Sequence, residues 1–120
     1  MTINISGKII HGEHYGRILG FPTANIDRRD YARRKLKIKL GIWSGWVNIA
    51  NKLYRAAIVI GPIDKTGKPK IEAHLINFKG NLYGKKISLV LIKYLRPFKK
   101  FANEQQLKQQ IANDIKQIMV

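Results

Sequence analysis

Lys70-Ile71-Glu72-Ala73-His74-Leu75-Ile76-Asn77-Phe78 alternates polar and apolar side chains over its first six positions. A β-strand points successive side chains to opposite faces, so Ile71, Ala73 and Leu75 share one face and Glu72, His74, Ile76 and Phe78 the other. One face can enter a core while the other carries chemistry. Residues 85–95 resume the strand pattern beyond Gly80-Asn81 and Gly84, and the two runs read as neighbouring antiparallel strands of a hairpin.

Upstream, residues 42–49 and 53–60 flank Ala50-Asn51-Lys52 as another antiparallel hairpin, whose second strand is stopped by Gly61-Pro62. Ile3, Ile5, Ile9 and Ile10, interrupted by Gly7, mark a first strand that reaches Gly12. Gly12, Gly16 and Gly20 make residues 12–22 a flexible connection, because glycine permits backbone conformations closed to other residues. Residues 27–39 form a basic connector. Near the end the period changes: Leu107, Ile111, Ile115 and Ile118 recur at helical spacing, and Asn103 three residues before Gln106 is a capping pair. Five or six consecutive strands and one terminal helix predict a mostly β fold. It is a small antiparallel, Greek-key-like β-barrel of six strands over residues 1–96, with a C-terminal α-helix over residues 103–119. A length of 120 residues with 45 % hydrophobic content suits a single domain with one core.

Composition removes several kinds of chemistry. Without cysteine there are no disulfides, thiolate zinc sites or cysteine nucleophiles. Residues 1–10 lack the continuous apolar core of a signal peptide, and no stretch approaches the roughly 18 apolar residues of a membrane span, so a soluble cytoplasmic protein is expected. With 23 Lys and Arg against 7 Asp and Glu, the formal charge is +16. Such a field draws anions, whether nucleic acid, phosphorylated metabolites or a membrane surface, and equally keeps a lysine-rich surface in solution. Of the seven acids only Glu72 lies inside an apolar strand pattern.

The most specific string is Gly16-Arg17-Ile18-Leu19-Gly20-Phe21-Pro22-Thr23-Ala24-Asn25. No Gly-Lys-Ser/Thr follows its glycines, so it is not a Walker A loop, and the spacing of Gly12, Gly16 and Gly20 does not fit a dinucleotide fingerprint. Pro-Thr and Asn alone would be ordinary turn chemistry. The whole string, however, resembles the signature of the riboflavin kinases, in which a Pro-Thr-Ala-Asn element holds the metal and the nucleotide phosphates. The residue types suit that role, since Pro22 fixes the entry angle, Thr23 offers a hydroxyl to a hard cation, and Asn25 offers an acceptor and donors. The resemblance therefore implies Mg²⁺ at Thr23 and Asn25. It also implies ATP phosphates beneath a flap containing Gly12, Gly16 and Arg17, with Tyr83 of the Tyr83-Gly84 turn at the nucleotide.

Ile71-Glu72-Ala73-His74-Leu75 matches the Glu-x-His string where that family has its catalytic base, which implies Glu72 as the base and His74 as a support of the strand. By position alone a strand glutamate more commonly pairs with a nearby cation such as Lys70. Tyr94-Leu95-Arg96-Pro97-Phe98-Lys99-Lys100-Phe101 resembles the loop that closes over the flavin, implying flavin contacts at Arg96, Phe98 and Phe101, although either Phe could equally pack on the helix.

Matching strings run from about Gly7 to about Asp114. The sequence departs from the family pattern in the basic residues of 27–39 and in Pro62-Ile63-Asp64-Lys65 after Gly61. The resemblance implies a monomer that converts riboflavin and ATP to FMN and ADP, and that stops at FMN because no adenylyltransferase domain is present. The competing reading is a basic barrel serving as a flavin-responsive or RNA-binding regulator without kinase activity. Its support is the charge, and against it only Tyr31 interrupts the basic run as a base-stacking surface would require.

Overall fold

The computed structural model describes residues 3–10, 23–78, 84–99 and 101–119. Its elements, in chain order, are β1 (Ile3–Ile10), β2 (Thr23–Ile26), α1 (Arg29–Arg33), β3 (Gly41–Ile49), β4 (Lys52–Ile63), β5 (Pro69–Leu75), β6 (Lys86–Arg96) and α2 (Glu104–Met119). The six strands close into a barrel in the order β1-β2-β5-β4-β3-β6, with every pairing antiparallel. Strands β3, β4 and β5 follow one another as a meander, and β6 returns to lie beside β3, which is a Greek key.

The pairing corrects one expectation. Strands β5 and β6 do not form a hairpin: β5 is bonded to β2 and β4, and β6 to β1 and β3. Each strand has two edges, and in the closed barrel both edges of both strands are already taken. Sequence adjacency is overruled by the need to leave no open edge.

Alternation along the strands fills the interior. Ile5, Ile9, Ala24, Ile26, Val47, Ala56, Ile58, Ile60, Ile71, Ala73, Leu75, Leu89 and Leu91 meet there, most of them without solvent contact. Gly45 allows one close approach, since a Cβ there would lie 2.0 Å from the Val90 carbonyl oxygen of β6 and 2.7 Å from Ile58 Cδ1. The pairing of β3 with β6 shifts register next to this residue, between Ser44 and Gly45.

Three local details differ from the sequence pattern. Strand β4 does not stop at Gly61-Pro62 but continues to Ile63, where it pairs with Pro69 after a register shift. Phe78 does not share the face of Glu72, because Asn77 adopts φ +62° and turns the chain, so the Phe78 ring is buried in the core edge-on to Tyr54. Residues 27–39 are more than a connector. They contain α1 and then an extended stretch in which Leu36 and Ile38 face the core while Lys35, Lys37 and Lys39 are exposed. Arg28 pairs with Asp64 and donates to the Lys68 carbonyl, Arg33 and Arg34 pair with Asp30, and Asp30 also accepts from the Ser6 amide. Part of the basic run thus fastens the connector to the barrel.

Helix α2 lies outside the barrel. Ile118 packs with Ile42 and Ala57, flanked by Val59, Ile76 and Leu95. The expected cap is present: the Gln106 amide donates to Asn103 Oδ1 at 2.9 Å, and Gln106 Oε1 accepts from the Ala102 amide at 3.1 Å. At the other end the Arg55 guanidinium donates to the Ile118 carbonyl, a cation where the helix dipole is negative.

Replacing Gly45 with Ala forces a methyl group against a backbone oxygen that cannot swing aside. We expect a loss of about 3 kcal/mol in urea unfolding. An unchanged midpoint would show that β3 and β6 can separate there without penalty.

Candidate active site

Residues opposed across a pair of antiparallel strands share a face, with Cβ atoms about 5 Å apart. Asn25 of β2 opposes Glu72 of β5, which opposes Val59 of β4; Thr23 opposes His74, which opposes Ala57. The intervening Ala24, Ala73 and Ile58 are buried in the barrel. Thr23, Asn25, Glu72 and His74 therefore fall together on the outer wall.

His74 Nε2 lies 3.3 Å from Glu72 Oε1, and the two side chains retain 14 % and 23 % of their exposure. Burial depresses the His74 pKa to about 4, outweighing the opposing pull of the Asp114 charge, so the imidazole is neutral at pH 7. The Asn25 side-chain nitrogen is buried without a hydrogen-bond partner among the described residues. A buried amide end without a partner is costly, and either orientation of the amide suits an anionic ligand with its counter-ion: as N–H it donates to a phosphate oxygen, as C=O it ligates a hard cation. No cluster of three or more His, Asp or Glu able to hold a metal occurs among the described residues. The Asn25 amide oxygen is the kind of ligand a hard cation takes, and Mg²⁺ accepts one or two such protein ligands with phosphate and water in its remaining positions.

The end of β6 is tied to α2. Arg96 Nε donates to Asp114 Oδ1 at 3.0 Å and Nη2 to Oδ2 at 2.8 Å, while Nη1 reaches the Pro97 carbonyl at 3.1 Å. Asp114 is 4 % exposed and accepts a further bond from Gln110 Nε2 at 3.1 Å. Phe98 is 41 % exposed and borders Gly61, where an added Cβ would sit 3.0 Å from its ring and 3.3 Å from Leu40 Cδ2. Phe101 lines an open groove of about 290 Å³ with Lys99, Gln106, Gln109, Gln110 and Asn113. The three residues expected at a flavin thus have separate settings: Arg96 is held by the helix, Phe98 lies by the end of β4, and Phe101 borders the groove.

Sequence reasoning missed Asp114. A signal was available, because Asp114 falls between Ile111 and Ile118 at the spacing of the buried helix face, where a carboxylate requires a partner. Gly12, Gly16, Arg17 and Tyr83 lie outside the described residues, and Thr23 is placed by its backbone alone. No helix among the described residues is long and apolar enough to cross a membrane.

A closed Greek-key barrel whose interior is filled by side chains must bind its ligand on the wall or at an end, and the polar residues of β2 and β5 mark such a place. The family model described as riboflavin kinase matches residues 1–120, and the chain belongs to that flavokinase family. It is 37 % identical over 117 residues to the bifunctional riboflavin kinase/FMN adenylyltransferase of Buchnera aphidicola subsp. Schizaphis graminum, an alignment covering 93 % of this chain and 36 % of that protein. The chain thus spans about a third of the length of that relative. Among solved structures, the macrolide-efflux protein from Streptococcus pneumoniae superposes with a TM-score of 0.81 at 26 % identity, covering 94 % of this chain and 37 % of that one. The riboflavin kinase from Trypanosoma brucei superposes with a TM-score of 0.75 at 24 % identity, covering 98 % and 78 %, and supports the fold.

The buried neutral histidine makes stability depend on pH. In the unfolded chain His74 takes up a proton below about pH 6.5, whereas in the folded protein it does so only below about 4. The unfolded state binds more protons between these values, so stability is greatest above pH 6.5 and declines as pH falls towards 4, by about 3 kcal/mol in all. Urea unfolding between pH 7.5 and 4 checks this, and His74→Gln should remove that part of the decline.

Proposed function

We propose that the chain is a riboflavin kinase, transferring the γ-phosphate of ATP to the ribityl 5′-hydroxyl of riboflavin to give FMN and ADP. The observation that carries this reading is the pairing of Asn25 with Glu72 across β2 and β5, beside His74, in a chain of the flavokinase family. A barrel acting only as a flavin-responsive or RNA-binding regulator is not favoured by the family match.

In this reading Glu72 accepts the proton of the 5′-hydroxyl as its oxygen forms a bond to the γ-phosphorus. The bond from that phosphorus to the β,γ-bridging oxygen breaks, and ADP leaves with the electron pair. Glu72 suits the role because it stands on a strand bonded along both edges, so its backbone is fixed before substrate arrives. Thr23 and Asn25 hold Mg²⁺ and the nucleotide phosphates, and Asn25 brings to that task a buried amide nitrogen that has no partner among the described residues. When bound, the cation neutralises charge on the phosphates. Gly12, Gly16, Arg17 and Tyr83 complete the nucleotide side, and Arg96, Phe98 and Phe101 the flavin side. Because Arg96 is already bonded to Asp114, its contribution is to hold the following Pro97–Phe98 segment and present one edge of its guanidinium plane. The protein acts in this reading as a cytoplasmic monomer.

The test is incubation of the purified chain with riboflavin, Mg²⁺ and ATP, with CTP in a parallel reaction, followed by chromatography for FMN. FMN from ATP supports the reading, FMN from CTP alone corrects the donor, and riboflavin binding without FMN in either reaction overturns it. Glu72→Gln should lower turnover about 10²-fold or more while nucleotide affinity stays within about twofold, because loss of a general base acts on the transition state. An unchanged turnover would remove Glu72 from the mechanism.

A further inference from the structure

The imidazole of His74 occupies a place where packing leaves it little freedom. Its backbone is paired on one side with Thr23 and on the other with Ala57, and its side chain is largely buried. Among the described residues, Glu72 of its own strand lies 3.3 Å from it and Asp114 of α2 attracts its proton. An imidazole N–H beside a carboxylate can restrict its rotation.

Building on the kinase reading, we propose that His74 is a positioning residue for the phosphoryl transfer, its Nε2–H fixing the rotation of the Glu72 carboxylate 3.3 Å away. Glutamate has three side-chain torsions, and a strand fixes only the first bond direction. The i, i+2 spacing on a pleated strand puts the imidazole and the carboxylate on the same face, so the orienting group comes from the same rigid element as the base. His74 itself transfers no proton.

The test is steady-state FMN formation by the wild type, His74→Leu and His74→Gln, each with and without Glu72→Gln. Leucine keeps bulk and removes the donor, and glutamine returns an N–H near the position of Nε2. We expect His74→Leu to lower kcat about tenfold, the equivalent of one hydrogen bond, with KM for riboflavin and ATP within about twofold. His74→Gln should recover kcat to within about threefold of wild type. In the Glu72→Gln background, His74→Leu should have no further effect, since there is then no base to orient.

Wild-type kcat in His74→Leu overturns the proposal, as does an equal loss in the Glu72→Gln background, which would mark a purely structural role. If His74→Leu fails to fold by circular dichroism, His74→Asn replaces it, because an amide one carbon shorter falls short of Glu72. Asparagine equal to glutamine then overturns the proposal, and glutamine clearly above asparagine supports it. Absence of FMN from the wild type would overturn the kinase reading together with this one, whereas FMN from the wild type and undiminished FMN from His74→Leu would overturn this one alone.

Discussion

Closure of the barrel is the constraint on which the rest of the structure depends. Every strand is bonded along both edges, so none can slip by one residue without turning its apolar side chains outward around the ring. Strand β2 shows the effect most clearly. It has four residues, too few to be stable alone, yet its pairing with β1 on one side and β5 on the other sets Asn25 opposite Glu72. The same register buries Ala24 against Ala73. The core and the outer-wall residues are therefore two sides of one register, and a change that loosens the first misaligns the second.

The C-terminal helix extends this arrangement. Arg96 at the end of β6 and Asp114 on α2 form a bidentate pair, which Gln110 supports. A buried pair of this kind contributes little net stability compared with an apolar replacement, but removing one partner strands a charge. Its effect is geometric: it gives the helix one position along the barrel, and with it the start of the segment that carries Phe98 and Phe101. Ile118 and the bond from Arg55 to the Ile118 carbonyl secure the far end. Asp114 also reaches His74 electrostatically, so the helix bears on the Glu72 and His74 pair as well as on Arg96.

Much of this was legible in the linear chain, for identifiable reasons. Period-two alternation located β1 and β3 to β5, and helical spacing with the Asn103 and Gln106 cap located α2 to within a residue. The placing of Glu72 and His74 on one side followed from the same alternation. The strings around Thr23 and Glu72 pointed to the flavokinase family, which the match over the whole chain shows. Less legible were α1, which is fastened to β1 through Asp30 at the Ser6 amide and, just past its end, Arg34 at the Asn4 carbonyl, and the inward turn at Asn77. The partners of the basic residues were hidden too, because Arg28 meets Asp64 only when the β4–β5 turn is folded beside it.

By itself, the sequence determined which residues face together within each element, because side-chain direction follows from strand and helix geometry, and it determined the family through its local strings. Tertiary structure alone decided that β6 closes on β1 and β3 instead of pairing with β5, that Asn25 and Glu72 face each other, and that Asp114 holds Arg96. Those relations join residues far apart in the chain, and they are selected by the free energy of closing every strand edge around one core, a quantity that no short stretch of sequence contains.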